Sequence, residues 1–328
     1  MSIPLSKSQI NKVRQTVASL NVLVVGDCML DHYIWGDVHR ISPEAPVPVV
    51  NIDKDTYRLG GACNVALNLS HMGCKVSLMG LVGNDADGEI VRRLLREAHI
   101  NFLEGDGKDT IDTIVKTRVV IRNQQLCRLD REHFFTEKQT EHINALVENV
   151  IGGFDAVIVS DYNKGTVSQV LLDRLVALKK SHKFFLAIDP KPDHCLNYSG
   201  ADLLKPNRVE ALQLSGLSVL PHQDFPLQAI VNRILQKHQV QYLAITLGAS
   251  GLALFDSKGN GNVFAAHDRE VFDVSGAGDT ALVALVLGFC SGFTTEEIAS
   301  FANIASGIVV GKVGTATVNI QELLDHVQ

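Results

Sequence analysis

The chain has 328 residues, 46% of them hydrophobic, and a formal net charge of −6 at neutral pH. That is enough apolar material for a full core, and the acidic balance excludes a basic nucleic-acid footprint, so no nucleic-acid partner is expected. The N-terminal stretch is polar and mixed in charge, without the apolar run of a secretory leader, and the richest apolar run, 280–290, is too short to span a bilayer. A cytoplasmic protein with no membrane partner follows. Six scattered cysteines (28, 63, 74, 127, 195 and 290) include no C-x-x-C pair, which argues against a disulfide framework or a zinc site.

Taken in chain order, short β-rich apolar runs at 22–26, 75–81, 156–160, 184–188, 203–204 and 242–246 read as strands. Several lack polar alternation, as strands covered on both faces do. Between them, 87–99, 137–151, 166–180 and 226–238 carry the spacing of amphipathic helices. Strand alternating with helix predicts an α/β fold: a doubly wound, mostly parallel sheet flanked by helices. Residues 47–53 and 113–122 break this rhythm with β-branched alternation, and 128–131 could pair back onto the second run. They predict a small accessory sheet inserted at about 34–58 and 110–132 of a single domain spanning 1–328; a lid and a plain edge extension both fit the pattern. The chain shows no repeat, low-complexity tract or Gly/Ser linker.

The sharpest local signal is Asp273-Val274-Ser275-Gly276-Ala277-Gly278-Asp279-Thr280, followed at once by an apolar helix. Glycines ahead of a helix let backbone N–H groups converge at the positive end of its dipole, which makes an anion site. An aspartate in a first helical turn is ordinary cap chemistry. It is also what phosphoryl transfer needs: amides of Gly276, Ala277 and Gly278 to neutralise the moving group, and Asp279 to accept the proton of the attacking hydroxyl. No G-x-x-x-x-G-K-[ST] is present, which excludes a P-loop, and the first strand lacks the G-x-G-x-x-G of a nicotinamide-dependent oxidoreductase.

Val274 to Thr280, as V-S-G-A-G-D-T, resembles the C-terminal signature of ribokinase-like (PfkB) carbohydrate kinases, and Gly60-Gly61-Ala62-Cys63-Asn64 resembles their N-terminal one. The resemblance covers roughly residues 22–318. It implies a ribokinase-like fold with a small β-sheet lid, an anion hole at Gly276, Ala277 and Gly278, and Asp279 as catalytic base. It also implies a sugar pocket containing Asp31, Gly60, Gly61, Ala62 and Asn64. Asn207-Arg208-Val209-Glu210 matches the family's N-x-x-E, implying that Asn207 and Glu210 act on Mg²⁺ through water; a plain helix cap fits the same residues. Thr246, Gly248, Ser250 and Gly251 resemble the nucleotide segment, alongside Ser275, Asn303 and Gly307, and a simple hairpin turn after 246 fits as well. ATP and Mg²⁺ are the implied cofactors.

Within the family, Arg40-Ile41-Ser42-Pro43-Glu44-Ala45-Pro46-Val47-Pro48-Val49-Val50 is very similar to heptose-7-phosphate kinases of lipopolysaccharide core synthesis, as are the Arg122-Asn123-Gln124-Gln125 and Ser160-Asp161-Tyr162-Asn163-Lys164-Gly165 runs. That resemblance implies transfer to O1 of D-glycero-β-D-manno-heptose 7-phosphate. A sugar phosphate wants a cationic anchor, and Arg122, Asn123, Arg128, Asp161, Lys164 and Lys191 are the candidates. Many such relatives carry a fused nucleotidyltransferase, so ending at Gln328 leaves that step to another protein. Relatives also imply a homodimer through lid strands. Another sugar kinase of the family and a non-catalytic nucleotide- or sugar-binding regulator are the competing readings; a base beside two glycines argues against the regulator.

Overall fold

A computed structural model describes residues 5–104, 111–122, 124–218, 224–266, 273–312 and 314–327. The chain runs α1 (Lys7–Val17), β1 (Asn21–Gly26), β2 (Cys28–Ile41), β3 (Pro48–Gly61), α2 (Ala62–Met72), β4 (Lys75–Gly80), α3 (Ala86–Glu97) and β5 (Asn101–Glu104). It continues with β6 (Val115–Ile121), β7 (Gln124–Arg131), α4 (Glu137–Val150), β8 (Ala156–Ser160), α5 (Gln169–His182), β9 (Phe185–Asp189) and β10 (Leu203–Leu204). The last third holds α6 (Arg208–Ser215), α7 (Leu227–His238), β11 (Tyr242–Thr246), β12 (Leu252–Asp256), β13 (Gly261–Phe264), α8 (Ala277–Cys290), α9 (Thr295–Val310) and α10 (Ile320–His326).

Nine strands form one sheet in the order β13-β12-β11-β10-β9-β8-β1-β4-β5, parallel except at β12 and β13. Strand β1 is its hinge of topology. The chain winds outward from it through β4 to β5, then returns to β8 on the other side. Val22 and Val24 face one apolar layer, with α2, α8 and α9; Leu23 and Val25 face the other, with α4, α5 and α7. This two-sided burial is why the β1 run reads as continuously apolar. The crevice at the carboxyl ends beside such a reversal is where open α/β sheets bind ligands.

Helix α8 is apolar all round and lies between the sheet and α9, so Thr280 through Gly288 are all buried. Two buried polar side chains cross its contact with α2: Thr280 Oγ1 donates to Asn68 Oδ1 at 2.9 Å, and Asn68 Nδ2 donates to the Asn64 carbonyl at 2.9 Å. These bonds fix the register of α8 on α2.

A second, four-stranded sheet has the order β3-β2-β6-β7. Strands β2 and β3 are each 14 residues long, much longer than the alternation at 47–53 suggests, and β2 begins two residues after β1 ends. Asp31 therefore stands on this sheet and not at the tail of the first strand. Asp27, between the two strands, is fully buried. Its carboxylate accepts the amides of Tyr162, Lys164 and Thr166, clasping the loop after β8 to the end of β1. Helix α1 and strand β5 have no counterpart in the sequence reading; Ile10, Val13 and Val17 of α1 are spaced for burial but stand among polar residues.

Truncating Leu285, wholly buried in α8, leaves a cavity between two packed layers. Leu285→Ala is expected to lower the unfolding free energy by about 2–5 kcal/mol, measured by urea denaturation.

Candidate active site

The turn before α8 is built around Gly276, the helix N-cap, at φ +81°. A side chain there would be strained, and its Cβ would come within 3.1 Å of Asn64 Nδ2 and 3.7 Å of Thr315. Asp273 holds the turn's entry, accepting the amides of Ser275 and Gly314 at 2.9 Å each. The first turn of α8 leaves amides with no intrahelical partner: that of Ala277 donates to the Val274 carbonyl at 3.3 Å, and those of Gly278 and Asp279 stay open among the described residues.

Asp279 is buried in that first turn. Asn64 Nδ2 donates to its Oδ2 at 2.6 Å and the Tyr162 hydroxyl to its Oδ1 at 3.1 Å. Burial pushes the Asp279 carboxyl above the usual aspartate range; the bonds from Asn64 and Tyr162 and the charge of Lys205 pull the other way. The result is a carboxylate fixed in orientation and more basic than a surface aspartate. Asn64 has left the role of local cap: Gly61, at φ +55°, caps α2, and a Cβ there would lie 2.5 Å from the Asp27 carbonyl.

A cavity with a volume of about 210 Å³ opens beside Asp279. Its walls come from strand ends: Asp161 after β8, Asp189 ending β9, Lys205 after β10 and Thr246 ending β11, with Lys191, Asn207 and Glu210 at the rim. Among the described residues Lys205 is the one buried lysine or arginine. Its ammonium lies 3.0 Å from Asp189, whose carboxyl is pushed up to about 7 because burial outweighs that partner. Neither residue stands out in the sequence, since each looks like ordinary strand-end polarity. Tyr162, the second holder of Asp279, was likewise hidden inside a loop motif.

Asn207 and Glu210 form a reciprocal cap on α6. Asn207 Oδ1 accepts the Val209 and Glu210 amides, and Glu210 Oε2 accepts the Asn207 amide. The cap leaves Glu210 Oε1 facing the cavity, 3.6 Å from Lys191 Nζ. Among the described residues no three His, Cys, Asp or Glu side chains converge as a metal cage. Of the carboxylates lining the cavity, Asp161 and Asp189 are taken up by His194 and Lys205, and Glu210 Oε1 at the rim suits Mg²⁺ that keeps most of its ligands as phosphate and water oxygens.

The remaining sequence candidates scatter. Gly60 and Ala62 flank Gly61 at the junction of β3 and α2, where a Cβ on Gly60 would meet the Asp31 carboxyl at 3.0 Å. Asp31 does not wait open: Arg118 Nη1 donates to it at 2.6 Å. Asp161 is gripped by the Asn163 amide and by His194 Nε2, with the Lys191 amide at 3.4 Å. Lys164 reaches Glu132, which also binds Lys116. Burial opposes the Glu132 charge, yet these two lysines hold its carboxyl down at about 2.

Arg128 is spent on Asp130 through two bonds, and Arg122, at the tip of the β6–β7 hairpin, is 76% exposed and pairs with Asp37. Asn123 lies outside the described residues. The strand after Thr246 pairs back as an antiparallel hairpin, through a 3₁₀ turn holding Gly248 and Ser250 and ending at Gly251. Asn303 donates from α9 to the carbonyls of Phe264 and Ala265, a tie between helix and sheet edge, and Gly307 follows one turn later on α9.

This sheet, the accessory sheet and the aspartate at a glycine-turned helix start define a sugar kinase of ribokinase-like fold. The chain belongs to the pfkB family of carbohydrate kinases, whose model matches residues 19–322. It is 39% identical over 323 residues to the bifunctional protein HldE of Syntrophotalea carbinolica, a match covering 97% of this chain and 65% of that protein's length. Phosphofructokinase-2 from Escherichia coli, solved in complex with potassium, superposes with a TM-score of 0.77 at 18% identity, over 94% of this chain and 97% of that one. Ribokinase from Thermotoga maritima gives 0.70 at 18% identity, over 93% and 97%. At these identities the two structures speak for the fold.

Removing the Asn64 amide takes a stabilising bond from the charged form of Asp279, which raises its pKa. Asn64→Leu is expected to move the acid limb of the kcat/KM pH profile upward. It should also lower kcat/KM at neutral pH by about ten- to a hundred-fold, the scale of a hydrogen bond to a charged group. Circular dichroism checks that the fold survives.

Proposed function

We propose that the chain transfers the γ-phosphoryl group of ATP to O1 of D-glycero-β-D-manno-heptose 7-phosphate, giving the 1,7-bisphosphate and ADP, in ADP-heptose synthesis for the lipopolysaccharide inner core. The observation that carries the kinase chemistry is Asp279, buried and held by two donors at the head of α8 beside a cavity of phosphate size. The choice of heptose rests on the Arg40–Val50 and Arg122–Gln125 resemblance, and on similarity to a protein named HldE along nearly the whole chain.

In this reading the acceptor lies between Asp31, on β2, and Asp279. Asp31 accepts hydroxyl hydrogen bonds, while Gly60, Gly61 and Ala62 let the ring approach the backbone. Asp279 takes the O1 proton as O1 attacks the γ-phosphorus in line, and its raised pKa suits that transfer. Amides of Gly276, Ala277 and Gly278 receive charge developing on the phosphoryl oxygens. Lys205, 3.8 Å from the position a Gly278 Cβ would take, adds a fixed positive charge at the same place. Glu210 and Asn207 would hold Mg²⁺ through water, and the ion supplies further neutralisation of phosphate charge. Thr246, Gly248, Ser250, Gly251 and Ser275 line the nucleotide side, with Asn303 and Gly307 farther out; the backbone ties of Asn303 support a scaffolding part for it.

The four-stranded sheet serves as a lid. Its outer face carries Ile34, Val50, Ile52, Val119 and Leu126 around a shallow apolar hollow, and Ile52 is 62% exposed. Two copies of the chain meeting through these faces would cover the apolar surface and the lid's edges, which supports a homodimer. The reaction is placed in the cytoplasm; among the described residues no helix is long and apolar enough to cross a membrane.

ATP consumption is measured against heptose 7-phosphate, unphosphorylated heptose, ribose, fructose and fructose 6-phosphate. Selective turnover of heptose 7-phosphate is expected; preference for another sugar discards the pathway and keeps the kinase. Asp279→Asn should lose at least ~10²-fold in kcat while still binding nucleotide. Ile52→Glu should convert a dimer, seen by sedimentation velocity, to a monomer that keeps its circular dichroism.

A further inference from the structure

The proposed acceptor brings its own phosphate, nearly a dianion at neutral pH, and three of the cationic sequence candidates are poorly placed to receive it. Arg122 stands at an exposed tip, Arg128 is doubly bonded to Asp130, and Lys164 shares Glu132 with Lys116. The face of the lid sheet turned toward Asp279 offers another group. Cross-strand register puts Asp31 opposite Arg58 and Lys116, Tyr33 opposite Arg118, and Arg118 opposite Arg128, all on that face. Tyr33 marks its direction: its hydroxyl accepts the Thr315 amide at 3.3 Å, and Thr315 borders Gly276.

Arg118 is the member of this group built for anion binding. Its side chain is only 13% exposed. The guanidinium lies 5.2 Å from the Tyr33 ring centroid, with Arg58 on the same ring at 5.4 Å. The Tyr33 ring and the bond to Asp31 restrain the guanidinium, so less freedom is left to lose on binding. Nη1 alone makes its bonds, to Asp31 at 2.6 Å and to the Lys116 carbonyl at 3.5 Å. Among the described residues nothing meets Nε or Nη2, the edge that takes two phosphate oxygens side by side. Arg58 is less suited, because its Nη1 is committed to the Thr315 carbonyl at 2.9 Å. Of the other cations on this face, Lys116 is taken up by Glu132 and Asp130 and Arg128 by Asp130, which leaves Arg118 as the one with an open bidentate edge among the described residues.

We infer that Arg118 is the specificity residue for a phosphorylated acceptor, binding the acceptor's own phosphate through its Nε–Nη2 edge while Nη1 stays on Asp31. One guanidinium then ties the sugar-hydroxyl acceptor to the phosphate anchor and measures the distance between the reacting end and the phosphorylated end. This rests on the proposed reading of the site as a sugar-phosphate kinase.

The test compares wild type, Arg118→Gln and Arg118→Lys on heptose 7-phosphate and on unphosphorylated heptose. Arg118→Gln is expected to cut kcat/KM for the phosphorylated sugar about ten- to a hundred-fold, mostly through KM, and to change that for the unphosphorylated sugar far less. Arg118→Lys, which keeps the charge and loses the planar fork, should fall between. Calorimetric titration of heptose 7-phosphate into Asp279→Asn and Asp279→Asn/Arg118→Gln reads binding without turnover, and thermal unfolding of each variant reports folding.

Equal affinity in those two proteins overturns the inference and leaves the kinase reading standing. So does loss of discrimination in Arg128→Gln with Arg118→Gln unaffected, which would put the anchor on β7. If wild type prefers a different sugar phosphate, the heptose reading fails and Arg118 is judged by the same comparison on that sugar. A wild type that prefers unphosphorylated acceptors overturns both.

Discussion

Burial of one carboxylate organises this molecule. An aspartate out of water is costly unless donors and charges answer it, and Asp279 is answered from three separate elements: Asn64 of α2, Tyr162 of the loop after β8, and Lys205 after β10. Each of those needs support of its own. Asn64 is fixed by α2 packing on α8 through Asn68 and Thr280; Tyr162 by the loop that Asp27 clasps; Lys205 by Asp189. The buried polar groups thus form a connected set across the carboxyl edge of the sheet, and their mutual satisfaction specifies where the helices lie.

The topology explains how distant stretches of chain arrive together. Because β1 separates two outward windings, the residues after β1, β8, β9, β10 and β11 all emerge on one side. Lid and core are also continuous in the chain: β2 leaves directly from the end of β1, so Asp27 holds the core loop and Asp31, four residues on, belongs to the lid. A displacement of the accessory sheet would therefore act on Asp31 and Arg118 together, while Asp27 keeps the loop after β8 in place.

Much of this was legible in the sequence for definite reasons. Strands buried on both faces leave unbroken apolar runs, so β8, β10 and β11 fall where composition puts them. The glycine turn was legible because a positive φ demands glycine and an apolar helix follows. Other features left weaker traces. Strand β2 carries Asp31, His32, Trp35 and Asp37 amid apolar residues, because its two faces see a polar cleft and an apolar exterior, and the mixture hides its length. Lys205 and Tyr162 gain meaning only from neighbours far off in sequence. The lid arginines were chosen by motif, and the motif said nothing of which were already committed: Arg128 has Asp130 two residues along the same strand, whereas Arg118 reaches across to β2.

The lid sheet assigns alternate residues to different tasks. Odd-numbered side chains of β2 such as Asp31 and Tyr33 meet the cleft, while Ile34 meets the exterior; irregularities beside Trp35 and Val119 anchor the pairing against a one-residue slip that would exchange the two faces. Substitutions on the two sides are therefore separable. A lineage could change cleft-side residues while the apolar outer face stayed intact, or change the outer face and keep the cleft. The same thin layer of backbone gives natural variation two nearly independent dials.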